Sequence, residues 1–339
     1  MHSHTNPWAD FRQQALFLVW GPPSHGPRSQ VFAKELNIEG PHFIYSTMKR
    51  GLLYAPFKYS YQAAQTLVVL FRRRPKLVFV QSPPSLAVLF VYIYCALTNS
   101  RYLIDAHSAA FLFPFWTRPQ WLHRYLARQA VTTIVTNEYF QQMVNQGGGQ
   151  AFILHDIPST FPRADAYPLL GDFNVVVINS FAPDEPLSEV LEAAASLPEI
   201  HFYVTGRKQR ANPELLTGIP ANVHFTDFLP NPVYYALLAS AQSILCLTTR
   251  NHTMQRGACE ALWLGKPIVT SDWPLLREYF HQGTVHVANT SSAIRQGVQA
   301  IQAHYPRYLT EIQALQIARR QEWREKIEAL TELIYQTLQ

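Results

Sequence analysis

The sequence predicts an α/β protein built from two doubly wound domains. Three observations carry that prediction. The chain has 339 residues, more than one hydrophobic core normally serves. Short apolar runs alternate with helix-forming stretches along most of its length, as parallel strands covered by helices do. A stretch with three prolines and little periodicity, Pro158 to Gly171, interrupts the alternation near the middle and reads as a linker. The expected boundaries are therefore an N-terminal domain over 1–160, a C-terminal domain over 172–315 and a helical tail over 316–339.

In the first half, Gln14 to Trp20 is the first strand. It ends in a loop with two glycines, Gly21-Pro-Pro-Ser-His-Gly26, before a helix from about Arg28 to Leu36. That loop lacks the spacing of a dinucleotide fingerprint. Strands follow at His42 to Ser46, Lys76 to Gln81, Arg101 to Asp105, Thr132 to Thr136 and Ala151 to Leu154. Between them lie an amphipathic helix from Tyr59 to Arg73, a helix apolar on every face from Leu86 to Leu97, and a helix from about Gln120 to Ala130. The apolar helix is too short for a bilayer, which takes about 20 residues, and is predicted to be buried. In the second half, strands are predicted at Val175 to Asn179, His201 to Thr205, Val223 to Phe225, Ile244 to Thr248 and Ile268 to Thr270. Helix-forming sequence dominates from Ser291 onward.

Composition narrows the class. At 48% hydrophobic and 13% aromatic, the chain buries a large core and is not a disordered protein. Cys95, Cys246 and Cys259 form neither a disulfide framework nor a metal-ligand spacing, which suits a reducing cytoplasm. The first residues, MHSHTNPWADF, lack the apolar region of a secretory signal. The net charge of +5 is unevenly spread: Lys49, Arg50, Lys58, Arg72, Arg73, Arg74 and Lys76 fall in one short span. Such a patch suits phosphate groups. Nucleic acid is set aside, because the patch adjoins apolar helices and no nucleic-acid motif is present.

The most informative stretch runs from Ser243 to Asp272. It reads as strand, polar loop, small-residue helix and strand. Gly265 suits the left-handed end of that helix. A polar loop feeding a helix N-terminus at the carboxyl end of a parallel strand is a phosphate site by geometry and dipole. Glu260, one turn into the helix, is placed to meet a sugar hydroxyl.

This stretch resembles the donor-binding segment of GT-B glycosyltransferases, the large retaining family (family 4) in particular. Glu260, Ala261, Gly265, Pro267 and Ile268-Val269 match the second half of its pattern, while the first glutamate would fall at His252. Phe181-Ala-Pro-Asp-Glu-Pro186 and Phe202-Tyr-Val-Thr-Gly-Arg207 are similar to the opening of the donor domain, except that the first loop has Asp184 and Glu185 where relatives have a cation. Val80-Gln-Ser-Pro-Pro-Ser85 and Leu103-Ile-Asp-Ala-His107 resemble segments of the dolichol-pathway β-mannosyltransferases and of bacterial lipid-linked sugar and polysaccharide glycosyltransferases. The resemblance implies a GT-B fold: two Rossmann-like domains, a cleft between them and a C-terminal helix crossing back. It implies a hexosyltransferase that uses a nucleotide-diphosphate sugar as donor substrate and no cofactor. Its acceptor would be lipid-linked or a saccharide.

Transfer needs a stabilised leaving diphosphate and a deprotonated acceptor hydroxyl. No Asp-x-Asp pair stands at a strand end, so cations and a helix N-terminus are expected to replace a metal. Arg207 and Lys208 are assigned to the diphosphate, with Gly206 allowing close approach. Thr249, Thr253, Gln255 and Arg256 complete the donor site with Glu260, and Phe228 or Leu229 flanks the base. Asp105 and His107, at the end of a strand, are the catalytic candidates, with Asp105 favoured as a base and His107 a donor-sugar contact in retaining relatives. Gly21, Ser24 and His25 are the acceptor candidates. The aromatic loop from Phe111 to Trp116 and the basic span suggest docking on an anionic membrane surface, peripheral on the inner face of the plasma membrane. Two other readings remain at this stage: a GT-B sugar-nucleotide epimerase, and a catalytically degenerate GT-B binding protein, which His252 and the acidic first loop favour.

Overall fold

The computed structural model describes residues 13–23, 27–47, 51, 53–113, 118–162 and 165–338. The chain divides into two compact units. One comprises residues up to Ile157 together with Trp323 onward; the other runs from Pro158 to Glu322.

The N-terminal unit alternates β1 (Ala15–Trp20), α1 (Pro27–Leu36), β2 (Glu39–Ile44), α2 (Ala55–Arg73), β3 (Leu77–Ser82), α3 (Ser85–Thr98), β4 (Arg101–Ala106), α4 (Ala109–Leu112), α5 (Gln120–Gln129), β5 (Thr133–Val135), α6 (Glu138–Gln146) and β6 (Ala151–Ile153). Its six strands are parallel, in the order β2-β1-β3-β4-β5-β6. The first strand shows why the sheet is covered twice. Leu16, Leu18 and Trp20 enter the core shared with α2, α3 and α5, while Ala15, Phe17 and Val19 enter the opposite core with α1. A strand buried on both faces reads as an unbroken apolar run, which is how it stands in the sequence.

The C-terminal unit continues with β7 (Asn174–Val177), α7 (Leu187–Ala195), β8 (His201–Thr205), β9 (Val223–Asp227), α8 (Asn231–Ser240), β10 (Ser243–Cys246), α9 (Arg256–Trp263), β11 (Ile268–Ser271), α10 (Pro274–Tyr279), β12 (Thr284–Val287), α11 (Ser291–Ala303) and α12 (Tyr305–Leu338). Its strand order is β12-β11-β10-β7-β8-β9, again parallel throughout. Renumbered within the unit this is the dinucleotide-fold order, with its reversal between β7 and β10. Helix α12 starts in this unit, where Ile312 and Leu315 join the core, and its last turns belong to the N-terminal unit, where Trp323, Leu330 and Ile334 are buried.

The structure departs from the sequence reading at four places. Strand β2 starts at Glu39 and includes Gly40-Pro41, because an edge strand leaves the proline without a ladder bond to lose. Helix α2 starts at Ala55, with Pro56 in a first turn that needs no donor. Strand β12 is half-buried at a sheet edge and has no apolar run to announce it. The linker is packed rather than loose: the rings of Phe161 and Tyr235 lie 4.4 Å apart, and the N–H groups of Tyr167 and Leu170 donate to the hydroxyls of Ser240 and Tyr203.

Trp323 tests the assignment of the α12 tail. Its indole meets Phe32 edge-on, centroids 6.1 Å apart, in the core beside α1. Trp323→Ala should cost the N-terminal unit about 3 kcal/mol in urea unfolding, as large-to-small core changes do. An unchanged unfolding midpoint would detach the tail from that core.

Candidate functional site

Open parallel sheets bind ligands beyond the carboxyl ends of their strands, where the winding order reverses. In the C-terminal unit that point is framed by the loops after β7 and β10. Asp184 joins them. Its carboxylate accepts from the Thr248 hydroxyl at 2.8 Å and pairs with Arg250 at 3.0 Å, and its carbonyl accepts from the N–H of Thr249 at 2.8 Å. Glu185 folds back on its own loop, accepting from the N–H groups of Ser180 (2.7 Å) and Ala182 (3.0 Å). The two acids in the cation's place are thus loop builders, and one of them draws Arg250 into the same corner. The sequence reading missed this use of Asp184, Glu185 and Arg250, because it requires two loops 60 or more residues apart to meet.

Gly206 follows β8 with φ +100°, and a Cβ there would lie 2.1 Å from the carbonyl oxygen of Asn179. Its first role is therefore to let the β7 and β8 loops touch. Beyond it, the guanidinium of Arg207 sits over the Phe228 ring, 4.8 Å from its centroid, and the ammonium of Lys208 over Phe225 at 5.4 Å. Phe228 is 62% exposed, so an open aromatic face stands beside two cations at the ends of β8 and β9. Asp227 fixes this corner by accepting from the N–H groups of Phe228 (2.8 Å) and Lys208 (3.2 Å).

Helix α9 packs its first turn tightly against the sheet. A Cβ on Gly257 would meet Cys246 Sγ at 2.8 Å and Ile178 Cγ2 at 2.9 Å, so only glycine allows this approach. No side chain caps the helix N-terminus. Gln255 faces inward and accepts from the Thr270 hydroxyl at 2.9 Å, which pins the loop to β11. Thr253 donates to the Asn251 carbonyl at 3.4 Å. His252 has φ +58° and its N–H bonds Asn251 Oδ1 at 2.7 Å. That left-handed backbone suits Asn, Asp and His better than Glu, a physical reason for the departure at this position. Glu260 is buried and engaged: Tyr234 donates to it at 2.8 Å, Tyr235 at 3.5 Å and Arg256 Nε at 2.9 Å. Burial and the neighbouring carboxylate push the Tyr234 hydroxyl well above its ordinary range, so it remains a donor. Oε1 takes both Tyr235 and Arg256, whereas Oε2 takes Tyr234 alone and keeps a lone pair for a further hydroxyl.

In the N-terminal unit, β4 delivers Asp105 and His107. Asp105 is 1% exposed, whereas His107 is 29% exposed. His107 Nε2 lies 3.4 Å from one carboxylate oxygen and Arg28 Nε 3.6 Å from the other. Neither is a hydrogen bond, and among the described residues both oxygens lack a donor. Burial acts against the charge, but the Arg28 guanidinium and His107 outweigh it and hold the carboxyl below its usual range. A buried, weakly basic carboxylate is poorly placed to take a proton from an acceptor; His107 is the member of the pair that solvent reaches. Arg28 was missed, although a cation in a helix's first turn opposes the dipole and calls for an anionic partner. Gly21 donates its N–H to the Ile44 carbonyl at 3.0 Å. Ser24 and His25 lie outside the described residues, as does the aromatic loop beyond Phe113.

A cavity of about 200 Å³ also opens in this unit, lined by Ile104, Ala106, Phe111, Leu126 and Met143, with Ser85, His123 and Arg124 as polar members. An apolar cavity of roughly 150 Å³ holds a benzene-sized group. No sequence signal marks it, since its walls come from separate segments. Burial pushes the thiols of Cys95 and Cys246 up to about 12, which leaves both as inert core groups. Among the described residues no cluster of His, Cys, Asp or Glu could hold a metal ion, and no helix is long and apolar enough to cross a membrane.

Asp105 carries a pH test. Its folded-state carboxyl stays ionised below the ordinary value of about 3.9, so its stabilisation is present above that value and is lost as pH falls through the lower folded one. Urea unfolding of the native protein and of Asp105→Asn should differ by a constant amount down to about pH 5 and converge below about pH 4. A difference that does not change with pH would mean that Asp105 is not the titrating group.

The comparisons with known proteins bear on the fold and on the family of the C-terminal unit. Residues 172–304 match the family model described as glycosyl transferases group 1. Comparison of the whole sequence with curated proteins returns no match. Among solved structures, HepE of Anabaena in complex with UDP and glucose superposes with a TM-score of 0.69 at 14% identity, over 94% of this chain and 99% of that one. A glycosyltransferase from Rickettsia africae ESF-5 gives 0.67 at 11% identity, over 96% and 99%. Sucrose-phosphate synthase from Thermosynechococcus elongatus gives 0.64 at 15% identity, over 94% and 100%. The chain has the GT-B fold, and residues 172–304 of its C-terminal unit match the glycosyl transferases group 1 model.

Proposed function

We propose that the protein is a hexosyltransferase that moves a sugar from a nucleotide-diphosphate sugar to a lipid-linked or saccharide acceptor. The observation that carries this reading is the match to the glycosyl transferases group 1 model over 172–304, a span that holds every donor candidate from Gly206 to Glu260. The UDP complexes of HepE make UDP the first nucleotide to test. In this reading the Phe228 face takes the base, Arg207 and Lys208 meet the diphosphate, and the uncapped N-terminus of α9 with Arg256 and Thr253 assists them. Thr249 and Gln255 shape the loop, and Glu260 accepts from a ribose or sugar hydroxyl. Transfer breaks the bond between the anomeric carbon and the diphosphate and forms one to the acceptor oxygen. The acceptor proton goes to a base, and His107 is the candidate, with Asp105 and Arg28 behind it. Asp105 stands beside the imidazole, 3.4 Å from its Nε2. The cavity favours an acceptor with an apolar portion, and Gly21, Ser24 and His25 are the acceptor candidates. Charge neutralisation by arginine, lysine and helix N–H groups supports a reaction that needs no metal. The setting is cytoplasmic and peripheral on the inner face of the plasma membrane.

A thermal-shift screen against UDP, GDP, ADP, dTDP and CMP, with and without Mg²⁺, tests the donor half. One diphosphate should stabilise the protein by about 2.7 kcal/mol at a hundredfold excess over its dissociation constant, without Mg²⁺. No shift with any nucleotide would overturn the transferase reading in favour of a degenerate binding protein. Phe228→Ala should weaken that nucleotide by about tenfold, the worth of a base–aromatic stack. His107→Ala should leave nucleotide binding intact and lower acceptor-dependent turnover by about 10²-fold or more. Equal loss of nucleotide binding would make His107 a donor contact instead.

A further inference from the structure

Helix α2 carries apolar side chains on both faces: Ala63 and Leu70 pack into the core with Tyr59, Leu67 and Val69, and a second set points outward. Its buried positions are Gln62, Ala63, Thr66 and Leu70. The polar ones are held inside: Gln62 donates to the Ile44 carbonyl at 3.0 Å, and the Trp20 indole donates to Thr66 at 2.8 Å. The outward stripe is apolar, with Phe57, Tyr61, Val68 and Phe71 exposed at helical spacing. Phe57 is 69% exposed, Val68 64%, and Leu53 just before the helix 85%. A surface helix normally turns such residues inward and its polar residues outward. Scattered exposed apolar residues need no explanation, but a stripe along one helix does.

The charge around the stripe names its occupant. From Gly40 to Asn137 the sequence contains one acidic residue, Asp105, which is buried, against eleven lysines and arginines. Lys58 lies on α2 itself, and Arg72, Arg73 and Arg74 cluster at its end. Among the described residues, only Arg73 of these cations pairs with a carboxylate, that of Glu39 at 3.3 Å. An apolar stripe flanked by cations, with Glu39 the one carboxylate paired with them among the described residues, complements an anionic interface, where the rings enter the acyl boundary and the cations meet phosphates.

We propose that the outward face of α2 docks the N-terminal unit on an anionic lipid bilayer. The helix lies in the plane of the interface, with Leu53, Phe57, Val68 and Phe71 inserted and Lys58, Arg72 and Arg74 on the headgroups. The docking stands on α2 alone; that it serves to meet an acceptor rests on the lipid-linked reading above.

Vesicle flotation tests it. The protein should float with phosphatidylcholine vesicles containing about one third phosphatidylglycerol, should not float with phosphatidylcholine alone, and should be released by high salt. Phe57→Ser with Val68→Ser should lower partitioning by about tenfold or more while keeping the thermal midpoint. Arg72→Gln with Arg74→Gln should lower it by about fivefold per cation at low salt. Failure of the native protein to float, or flotation unchanged in both variants, overturns the proposal. So does light scattering that shows a dimer dissolved by Phe57→Ser with Val68→Ser, since the stripe would then be a contact between copies. Nucleotide binding is read on the same samples. Binding without flotation sinks the docking alone; flotation without binding sinks the sugar-transfer reading alone.

Discussion

Asp184 holds the C-terminal site together. Its carboxylate reaches from the β7 loop to Thr248 and Arg250 on the β10 loop, across the one place where the sheet reverses its winding. Two loops at such a point each carry several backbone donors and a helix start, and without a tie they would move independently. Glu185, occupied with Ser180 and Ala182, stiffens the first loop, and Gly206 lets the third approach it. The platform of Arg207 and Phe228 and the first turn of α9 take their positions from this frame. An acidic pair in the first loop, which by itself argues for a lost cation site, becomes part of the support.

The N-terminal unit solves a different electrostatic problem. Asp105 sits at the end of a fully buried strand, where an unpaired carboxylate would be very costly. Arg28 and His107 compensate from either side without closing a hydrogen bond. The result is a carboxylate that stays charged and a histidine that faces outward beside it. Asp105 therefore acts through His107 in the proposed chemistry, although its position at a strand end singled it out first.

Charge is also divided between the parts of the chain. The +5 of the whole hides a long N-terminal span with cations and almost no acids. Globular surfaces usually mix both signs, and the scarcity of acids along this span keeps the outward stripe of α2 from repelling an anionic partner.

The sequence by itself determined the fold class and most strands, because parallel strands buried on two faces must be continuous apolar runs. It also laid out the strand–helix–strand unit that carries Gly257, Glu260 and Gly265, where spacing is geometry. Tertiary structure alone decided the edges and the partners. Strand β12 and the true start of β2 depend on a neighbour that supplies the ladder. The union of Asp184 with Arg250, of Asp105 with Arg28, and of Arg207 with Phe228 joins positions distant in the chain, and no local pattern encodes such pairings. The outward stripe of α2 belongs to the same class. Periodicity shows that the helix has two faces, but only packing against the sheet decides which face is buried.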